Sequence, residues 1–318
     1  MKFRKIIPVI LSAMLLAVMS SCAKTEPTVI DNLVAENQKI TGSYAYDEYE
    51  KHIEITECYL YSEKYIDIPS RIDDKPVTVI GDNAFSNLEK AVIITVPDSV
   101  TYIGEYAFAR CFNLTEVSLP DSVAYIGEYA FEACPLKTIH IPEGLTEIND
   151  GTFGGCSFNN GTIVIPDGVT RIGNSAFAAS NYLTEITIPD SVTEIGDGAF
   201  SNCKQLKGLT IPDSVEKIGK RAFESCFQII TIMIPGSVEE IGEYAFAGCD
   251  KLTSVTISDG VKIIGDRAFS GCDNLIKVTI PEKVKEIGEG AFANCENLTD
   301  IKLPKKFKKN YDEIMGKQ

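Results

Sequence analysis

The chain is dominated by a unit of about 23 residues that recurs along most of its length. Its clearest copy, residues 190–212, is DSVTEIGDGAFSNCKQLKGLTIP. A period this regular predicts a solenoid, in which each unit packs only against its neighbours. The phenylalanine of the A-F pair marks ten copies, spaced by 23, 23, 22, 24, 23, 23, 23, 23 and 23 residues: Phe85, Phe108, Phe131, Phe153, Phe177, Phe200, Phe223, Phe246, Phe269 and Phe292.

Each unit contains a segment of the form L-x-x-I-x-I-P, as at residues 183–189. Alternating β-branched and polar residues predict a short strand, and the proline ends it because it cannot donate to a ladder. Copies one unit apart should stack in parallel at roughly 4.8 Å per rung. The middle position of this strand then faces outward. It carries His140, Thr187 and Thr210, which are candidates for contact with a ligand.

A second recurring segment has the form V-x-x-I-G and is followed by x-x-A-F-x-x-C. The glycine is present in nine of ten units, and Asn149 replaces it in the other. Since Asn tolerates positive φ better than other non-glycine residues, a left-handed turn is predicted at this position in every rung. The A-F-x-x-C part predicts one or two turns of helix or 3-10 helix. Acidic residues at its start would be favoured by the exposed N–H groups of that turn.

Eight of the ten cysteines occupy one repeat position. Equivalent side chains in stacked rungs are parallel, so their Cβ atoms do not face each other as a disulfide requires. Cysteine also behaves as a small buried hydrophobe. We therefore predict free, buried thiols, and the spacing excludes a C-x-x-C zinc site. These residues are Cys111, Cys134, Cys156, Cys203, Cys226, Cys249, Cys272 and Cys295.

The N-terminus has the pattern of an export signal. Three basic residues precede an apolar stretch, residues 6–19, that is too short for a spanning helix. The small residues before Cys22 resemble a bacterial lipobox, which implies cleavage before Cys22 and lipid attachment to its thiol; an ordinary signal peptide is the alternative. The predicted organisation is a signal peptide (1–21), a tether (22–39), an N-terminal cap (40–76), the repeat solenoid (77–304) and a basic C-terminal cap or tail (305–318).

The units resemble the BspA-like leucine-rich repeat of bacterial surface proteins. The resemblance rests on the pattern I-G-x-x-A-F-x-x-C-x-x-L-x-x-I-x-I-P and covers about residues 65–304. It implies a curved, right-handed leucine-rich-repeat solenoid with parallel β rungs and a short helix or 3-10 turn per repeat, exposed outside the cell. Some members of the family adhere to host matrix proteins or to other bacteria. A protein or glycan ligand on host or neighbouring cells is therefore expected, with membrane contact only through the lipid anchor.

Two departures from uniform repetition are candidate binding features. Tyr102 and Tyr125 share one repeat position, Tyr106 and Tyr129 share another, and Phe112 is close to them in sequence. Four tyrosines in two adjacent rungs would form a recognition patch; packing between rungs is the alternative. The repeat register is also broken between residues 134 and 166, and such irregularities are typical of binding loops, although drift is the simpler account. His140 lies in this stretch, without a His, Asp or Cys at a useful spacing.

Charge and motifs exclude several functions. A net charge of −15 argues against nucleic-acid binding. The sequence contains no nucleophile elbow, phosphate-binding loop, H-E-x-x-H motif or Cys–His pairing, so we predict no enzyme, no metal site and no cofactor. The basic run from residue 302 to 309 is predicted to block strand addition at the open end; contact with an anionic wall polymer or membrane is the alternative. The sequence thus favours a lipid-anchored surface binding protein, with a structural spacer of the envelope as the alternative.

Overall fold

The computed structural model describes residues 38–159 and 162–317. Within them the chain forms a parallel β-solenoid of about 11 turns, which confirms the architecture predicted from the repeat. The predicted signal peptide, the candidate lipid-attachment residue Cys22 and most of the predicted tether lie outside the described residues. In the described part of the chain no helix is long and apolar enough to cross a membrane.

The strands are short, and from residue 93 onward they recur with the repeat. The N-terminal strands are β1 (Gln38–Thr41), β2 (Tyr44–Glu48), β3 (Ile53–Cys58), β4 (Tyr65–Asp67), β5 (Arg71–Ile72) and β6 (Lys75–Ile80). The remaining strands are β7 (Ile93–Thr95), β8 (Tyr102–Ile103), β9 (Glu116–Ser118), β10 (Tyr125–Ile126), β11 (Glu147–Ile148), β12 (Ile163–Val164), β13 (Arg171–Ile172), β14 (Ile186–Thr187), β15 (Glu194–Ile195), β16 (Lys217–Ile218), β17 (Thr231–Ile234), β18 (Glu240–Ile241), β19 (Ser254–Ile257), β20 (Ile263–Ile264), β21 (Lys277–Thr279), β22 (Glu286–Ile287) and β23 (Asp300–Lys302).

Two parallel ladders run along the solenoid. The first is built from the V-x-x-I segments, in the orders β3-β6-β8-β10 and β11-β13-β15-β16-β18-β20-β22. The second is built from the I-x-I-P segments, in the orders β4-β7-β9, β12-β14 and β17-β19-β21-β23. Register pairs residues one unit apart, as for Ile195 with Ile218. Both ladders are therefore interrupted. One interruption of each falls where the sequence register is broken, and the second ladder is also interrupted between β14 and β17, where the register is regular.

The core is a set of rows of identical side chains. The ten repeat phenylalanines are fully buried. Successive rings stack with centroids 5.1–5.7 Å apart. Phe158, which the repeat pattern did not single out, is also buried and packs against Phe153 and Phe177 with centroids 6.1 and 6.2 Å away. It fills the space of the leucine that this unit lacks.

The A-F segment is a row of turns, so the short helix or 3-10 turn predicted for each repeat is not confirmed. Every second amide group bonds between rungs, as when Phe108 N donates to the carbonyl of Ala130 at 2.8 Å. The amides between them close single turns, as when Ala109 N donates to the carbonyl of Tyr106 at 3.0 Å. Positive φ angles recur at two places per turn, for example 54° at Tyr106 and 60° at Arg110. A helix needs its N–H groups for bonds within the segment and negative φ throughout. Stacking therefore replaces helix formation here.

The glycine after the V-x-x-I isoleucine is not required by the left-handed turn that the sequence predicts at this position. Positive φ occurs two residues later, at Tyr129 (56°) for example, and not at these glycines. They are required because the previous rung approaches too closely for a side chain. A Cβ on Gly219 would lie 2.5 Å from the carbonyl carbon of Gly196. A close backbone approach of this kind is a second general reason for glycine.

Asn149 is tolerated because the first ladder is interrupted at its rung. In regular rungs the glycine N–H donates to the isoleucine carbonyl of the rung before, as Gly127 does to Ile103 at 2.8 Å. At residue 149 the side chain makes this contact instead, with Nδ2 donating to the carbonyl of Ile126 at 2.6 Å. The interruption leaves room for the Cβ, and the amide group bridges the gap.

Both ends of the described solenoid are covered. At the N-terminal end β1, β2 and β3 are antiparallel, and β3 then pairs in parallel with β6. Strand β1 begins at Gln38, before the predicted cap boundary at residue 40. At the C-terminal end a 3-10 helix (Lys305–Asn310) leads into helix α1 (Tyr311–Ile314), and Phe292 N donates to the carbonyl of Ile314 at 3.0 Å. Ile314 and Met315 are buried there.

The eight repeat cysteines are buried and free, as predicted. Each thiol donates to the carbonyl of the phenylalanine one rung back, as Cys203 does to Phe177 at 3.2 Å. Cys58, outside the repeat row, is also buried and free. Burial raises the pKa of Cys203 to about 12. The thiolate needed for oxidation or alkylation is therefore suppressed at neutral pH.

We expect these thiols to resist alkylation in the folded protein and to react completely after unfolding. Iodoacetamide without reductant, followed by mass spectrometry, should modify few of the eight under native conditions and nearly all in urea. Incomplete modification in urea would reveal disulfides and contradict the assignment.

Candidate binding surface

Tyr102 and Tyr125 form one stacked pair on the first ladder. They are paired residues of β8 and β10, with ring centroids 4.7 Å apart and an interplanar angle of 10°. Both are half-buried. Burial raises the pKa of both hydroxyls, and the carboxylate of Glu105 adds to the effect. The pair is a cross-rung packing contact, and its role in binding stays a prediction.

Tyr106 and Tyr129 form a second pair at the start of the turn row. Their ring centroids are 5.0 Å apart at 8°. The ring of Tyr129 covers the next rung so closely that a Cβ on Gly151 would lie 2.2 Å from its Cδ1 atom. No ring contact within the described residues joins this pair to Tyr102 and Tyr125. The four tyrosines are therefore two columns, defined here as the tyrosine columns.

The hydroxyl groups of the tyrosine columns have no hydrogen-bond partner among residues 38–159 and 162–317. Some other tyrosines have a partner, as when Tyr46 donates to Asp73 at 2.6 Å and Tyr49 to Glu54 at 3.0 Å. Tyrosine hydroxyls usually find a partner when they are buried. The free hydroxyls of the columns thus remain available to solvent or a ligand.

The other predicted contact residues are exposed but dispersed. Phe112 is 57% exposed and belongs to the turn that precedes β9. Thr187 lies on β14, and Thr210 lies one rung further along. The segment that carries Thr210 joins the previous rung through a single bridge, Glu185 to Gly208. The structure therefore does not gather these residues into one site with the tyrosines.

His140 has an acidic partner, which corrects the expectation that it had none. Its Nε2 atom lies 2.7 Å from Oδ1 of Asp121. Asp121 follows the strand of the preceding rung, 19 residues earlier, so the pairing depends on stacking and not on local spacing. The hydrogen bond from His140 lowers the pKa of Asp121. Both side chains are exposed, at 54% and 66%.

His140 lies in a rung that is detached from the second ladder. We call residues 138–141 the open rung. In the described chain no backbone hydrogen bond joins the open rung to residues 116–119 or to β12. The residue just before the open rung, Lys137, is still bonded to the preceding rung: its N–H donates to the carbonyl of Thr115 at 3.1 Å. The cause is a deletion, since Cys134 and Leu136 are separated by one residue where other units have two.

Two shallow, open surface depressions adjoin the open rung. One, of about 400 Å³, is lined by residues 115–119 and 137–140. The other, of about 650 Å³, is lined by Ser70 and by residues 95–99, 118–121 and 140. His140 borders both. The edge of β9, the unpaired amide and carbonyl groups of the open rung and the His140–Asp121 pair thus surround one exposed region.

The repeated acidic residues have a structural role that differs from the predicted one. Short side chains at this position accept a hydrogen bond from the next rung, as Asp82 Oδ1 does from Glu105 N at 2.8 Å. Asn174 and Asp197 act in the same way. No group of three or more potential metal ligands is found within the described residues. This row stabilises the stack.

The family model for BspA-type leucine-rich-repeat regions matches residues 78–207, 159–250 and 216–315. The chain belongs to the BspA-type leucine-rich-repeat family. The matched ranges begin within β6 and end at the C-terminal cap, so they include all the repeats from β6 onward. The open rung lies inside the matched region, as a local departure from the family repeat.

Two solved structures place the BspA-type chain among its neighbours. It is 27% identical to a leucine-rich cell surface protein from Faecalibacterium prausnitzii, with 90% of this chain and 99% of that chain covered and a TM-score of 0.51. It is 18% identical to the pneumococcal vaccine antigen PcpA, with 83% and 81% covered and a TM-score of 0.54, which shows a shared fold. No curated protein matches the chain.

Proposed function

We propose that this BspA-type protein is a cell-surface binding protein that recognises a protein or glycan at the open rung. The observation that carries the proposal is the detachment of residues 138–141 from the second ladder, beside two shallow surface depressions. The second ladder pairs the backbone polar groups in β4, β7, β9, β12, β14, β17, β19, β21 and β23; residues 208–211, with one bridge to the previous rung, are the other weakly paired stretch. Unpaired amide and carbonyl groups need partners, which hydroxyl-rich or peptide ligands supply.

The surface location is supported by the likeness to the cell surface protein of Faecalibacterium prausnitzii and by the signal-like N-terminus. Attachment through a lipid on Cys22 belongs to the same proposal. A labelled fatty acid incorporated by the native chain and not by a Cys22→Ala variant would support the anchor.

Binding without catalysis is the form we propose. Catalytic groups act strongly where water is excluded and their geometry is fixed. His140 and Asp121 are instead more than half exposed, which suits recognition of a ligand from solution. The tyrosine columns, with their four unpaired hydroxyls, are a second candidate surface. They belong to the repeat that contains β9 and to the repeat that contains the open rung. A spacer of the envelope without a ligand is the competing function, supported by the structural roles of most repeated residues.

The experiment is a binding screen with the purified protein against a panel of matrix proteins and a glycan array. We expect the His140→Ala/Asp121→Ala variant to bind its ligand about 10- to 100-fold more weakly, because it removes a charge-assisted hydrogen-bonding pair. The matched control is Thr187→Ala/Thr210→Ala, which changes two exposed residues of the same ladder.

The possible outcomes separate the hypotheses. Equal loss in both variants, or unchanged binding in the first, removes the open rung as the site. Loss only in a folded Tyr106→Ala/Tyr129→Ala variant moves the site to the tyrosine columns. Absence of any ligand in the panel and array favours the spacer.

A further inference from the structure

A cluster of exposed lysines covers the C-terminal end of the solenoid. We call these five residues the lysine cap: Lys302, Lys305, Lys306, Lys308 and Lys309. The first ends β23, and the others lie on the 3-10 helix. No acidic residue occurs between Asp300 and Asp312. A protein of net charge −15 therefore carries a local surface of opposite sign.

The lysine cap is not neutralised within the described residues. Other lysines of the solenoid pair with a carboxylate of an adjacent rung, such as Lys217 with Glu194 at 2.7 Å, Lys220 with Glu243 at 3.6 Å and Lys277 with Asp300 at 3.2 Å. None of the five cap lysines forms such a pair in the described chain. Its positive charges thus remain available to an external anion.

The 3-10 helix also continues the repeat position by position. Phe307 N donates to the carbonyl of Pro304 at 3.0 Å, as Val284 N does to that of Pro281 at 3.2 Å. Lys308 therefore occupies the repeat position of Lys285, and Lys285 N in turn donates to the carbonyl of Lys262. The lysine cap extends a file of lysines that begins two rungs earlier.

The arrangement fits a linear partner better than a flat one. A 3-10 helix has three residues per turn. Lys305 and Lys308 therefore share one side of the helix, and Lys306 and Lys309 share another. Phe307, between them, packs against the core. No large apolar side chain is exposed from residue 302 to 317. Peripheral membrane segments combine basic residues with exposed apolar ones, which are lacking here.

We infer that the lysine cap binds a linear polyanion, a flexible polymer with closely spaced phosphate or carboxylate groups. Lysine ammonium groups are compact point charges that attract such groups without fixed geometry. Binding releases the polymer's counterions, so it should weaken steeply with salt. This site is separate from the open rung.

The test uses fluorescently labelled polyphosphate as the probe and follows its anisotropy. We expect binding at 50 mM salt with a log–log salt slope of about −3.5, as five lysine contacts imply for a flexible chain. Changing all five cap lysines to glutamine should weaken binding at least about tenfold. A double variant, Lys305→Gln/Lys309→Gln, should show an intermediate loss.

The matched control removes the same charge elsewhere, at five exposed lysines without ion pairs in the described structure: Lys51, Lys64, Lys90, Lys204 and Lys207. It should bind nearly as the native protein does, and so should His140→Ala/Asp121→Ala. Equal losses in the cap and control variants, or no binding by the native protein, would overturn the inference. Binding to anionic phosphatidylglycerol vesicles but not to polyphosphate would overturn it in favour of a membrane.

Discussion

Replacing Phe200 with alanine is expected to lower the free energy of unfolding by about 3–5 kcal/mol. Its ring is fully buried and stacks between those of Phe177 and Phe223, with centroids 5.4 and 5.3 Å away. The variant loses contacts with both neighbouring rungs, and rungs on either side hold the backbone in place around the cavity. The stack leaves little room for the site to collapse.

Urea unfolding followed by far-UV circular dichroism measures this effect as a lower midpoint. Phe112→Ala is the control, because this phenylalanine is 57% exposed and should change the midpoint little. Equal midpoints for the two variants would contradict the importance of the phenylalanine row.

The Gly219→Ala variant should be destabilised by about 3 kcal/mol although it adds only one methyl group. That methyl would lie 2.5 Å from the carbonyl carbon of Gly196 and 2.6 Å from the amide nitrogen of Asp197. Backbone atoms cannot turn aside as a flexible side chain can. The two rungs must therefore separate, with loss of the hydrogen bond from Gly219 N to the carbonyl of Ile195.

Gly208→Ala provides the same chemical change in an open position. Its Cβ would meet only the Cγ atom of Glu185, at 3.5 Å. We expect a midpoint equal to or slightly above that of the native protein, because alanine restricts the unfolded chain. If Gly219→Ala were equally stable, close rung approach would not explain the conserved spacing of glycine along the repeat.

The period was sufficient to predict the stack, but not the path of the chain within one rung. The solenoid, the two strand types and the buried cysteine row follow from alternation and spacing. The turn row does not, because every second amide bonds to the next rung and no local pattern reports that. The reason for the glycine does not follow either, because Asn149 occupies the rung at which the first ladder is interrupted and a Cβ is tolerated there without a left-handed turn.

The candidate site was only partly predictable. The break in register near His140 was visible in the sequence, but the separation of strands around it depends on three-dimensional packing. The pairing of His140 with Asp121 is not visible as a local spacing, because it joins adjacent rungs. A search one unit back from His140 reaches Ser118, three residues from that aspartate. In a solenoid, residues about one period apart should be searched first for paired side chains.

The open rung also divides the molecule in its folding. Solenoid stability is a sum of terms for single repeats and for the interfaces between adjacent ones. Between β10 and β11 the first ladder has no pairing, the second is detached, and the phenylalanine centroids are 5.7 Å apart, the widest spacing in the row. Coupling between repeats is therefore weakest at this interface. The solenoid should unfold as two cooperative blocks that meet at His140, so occupation of the open rung by a ligand would couple them.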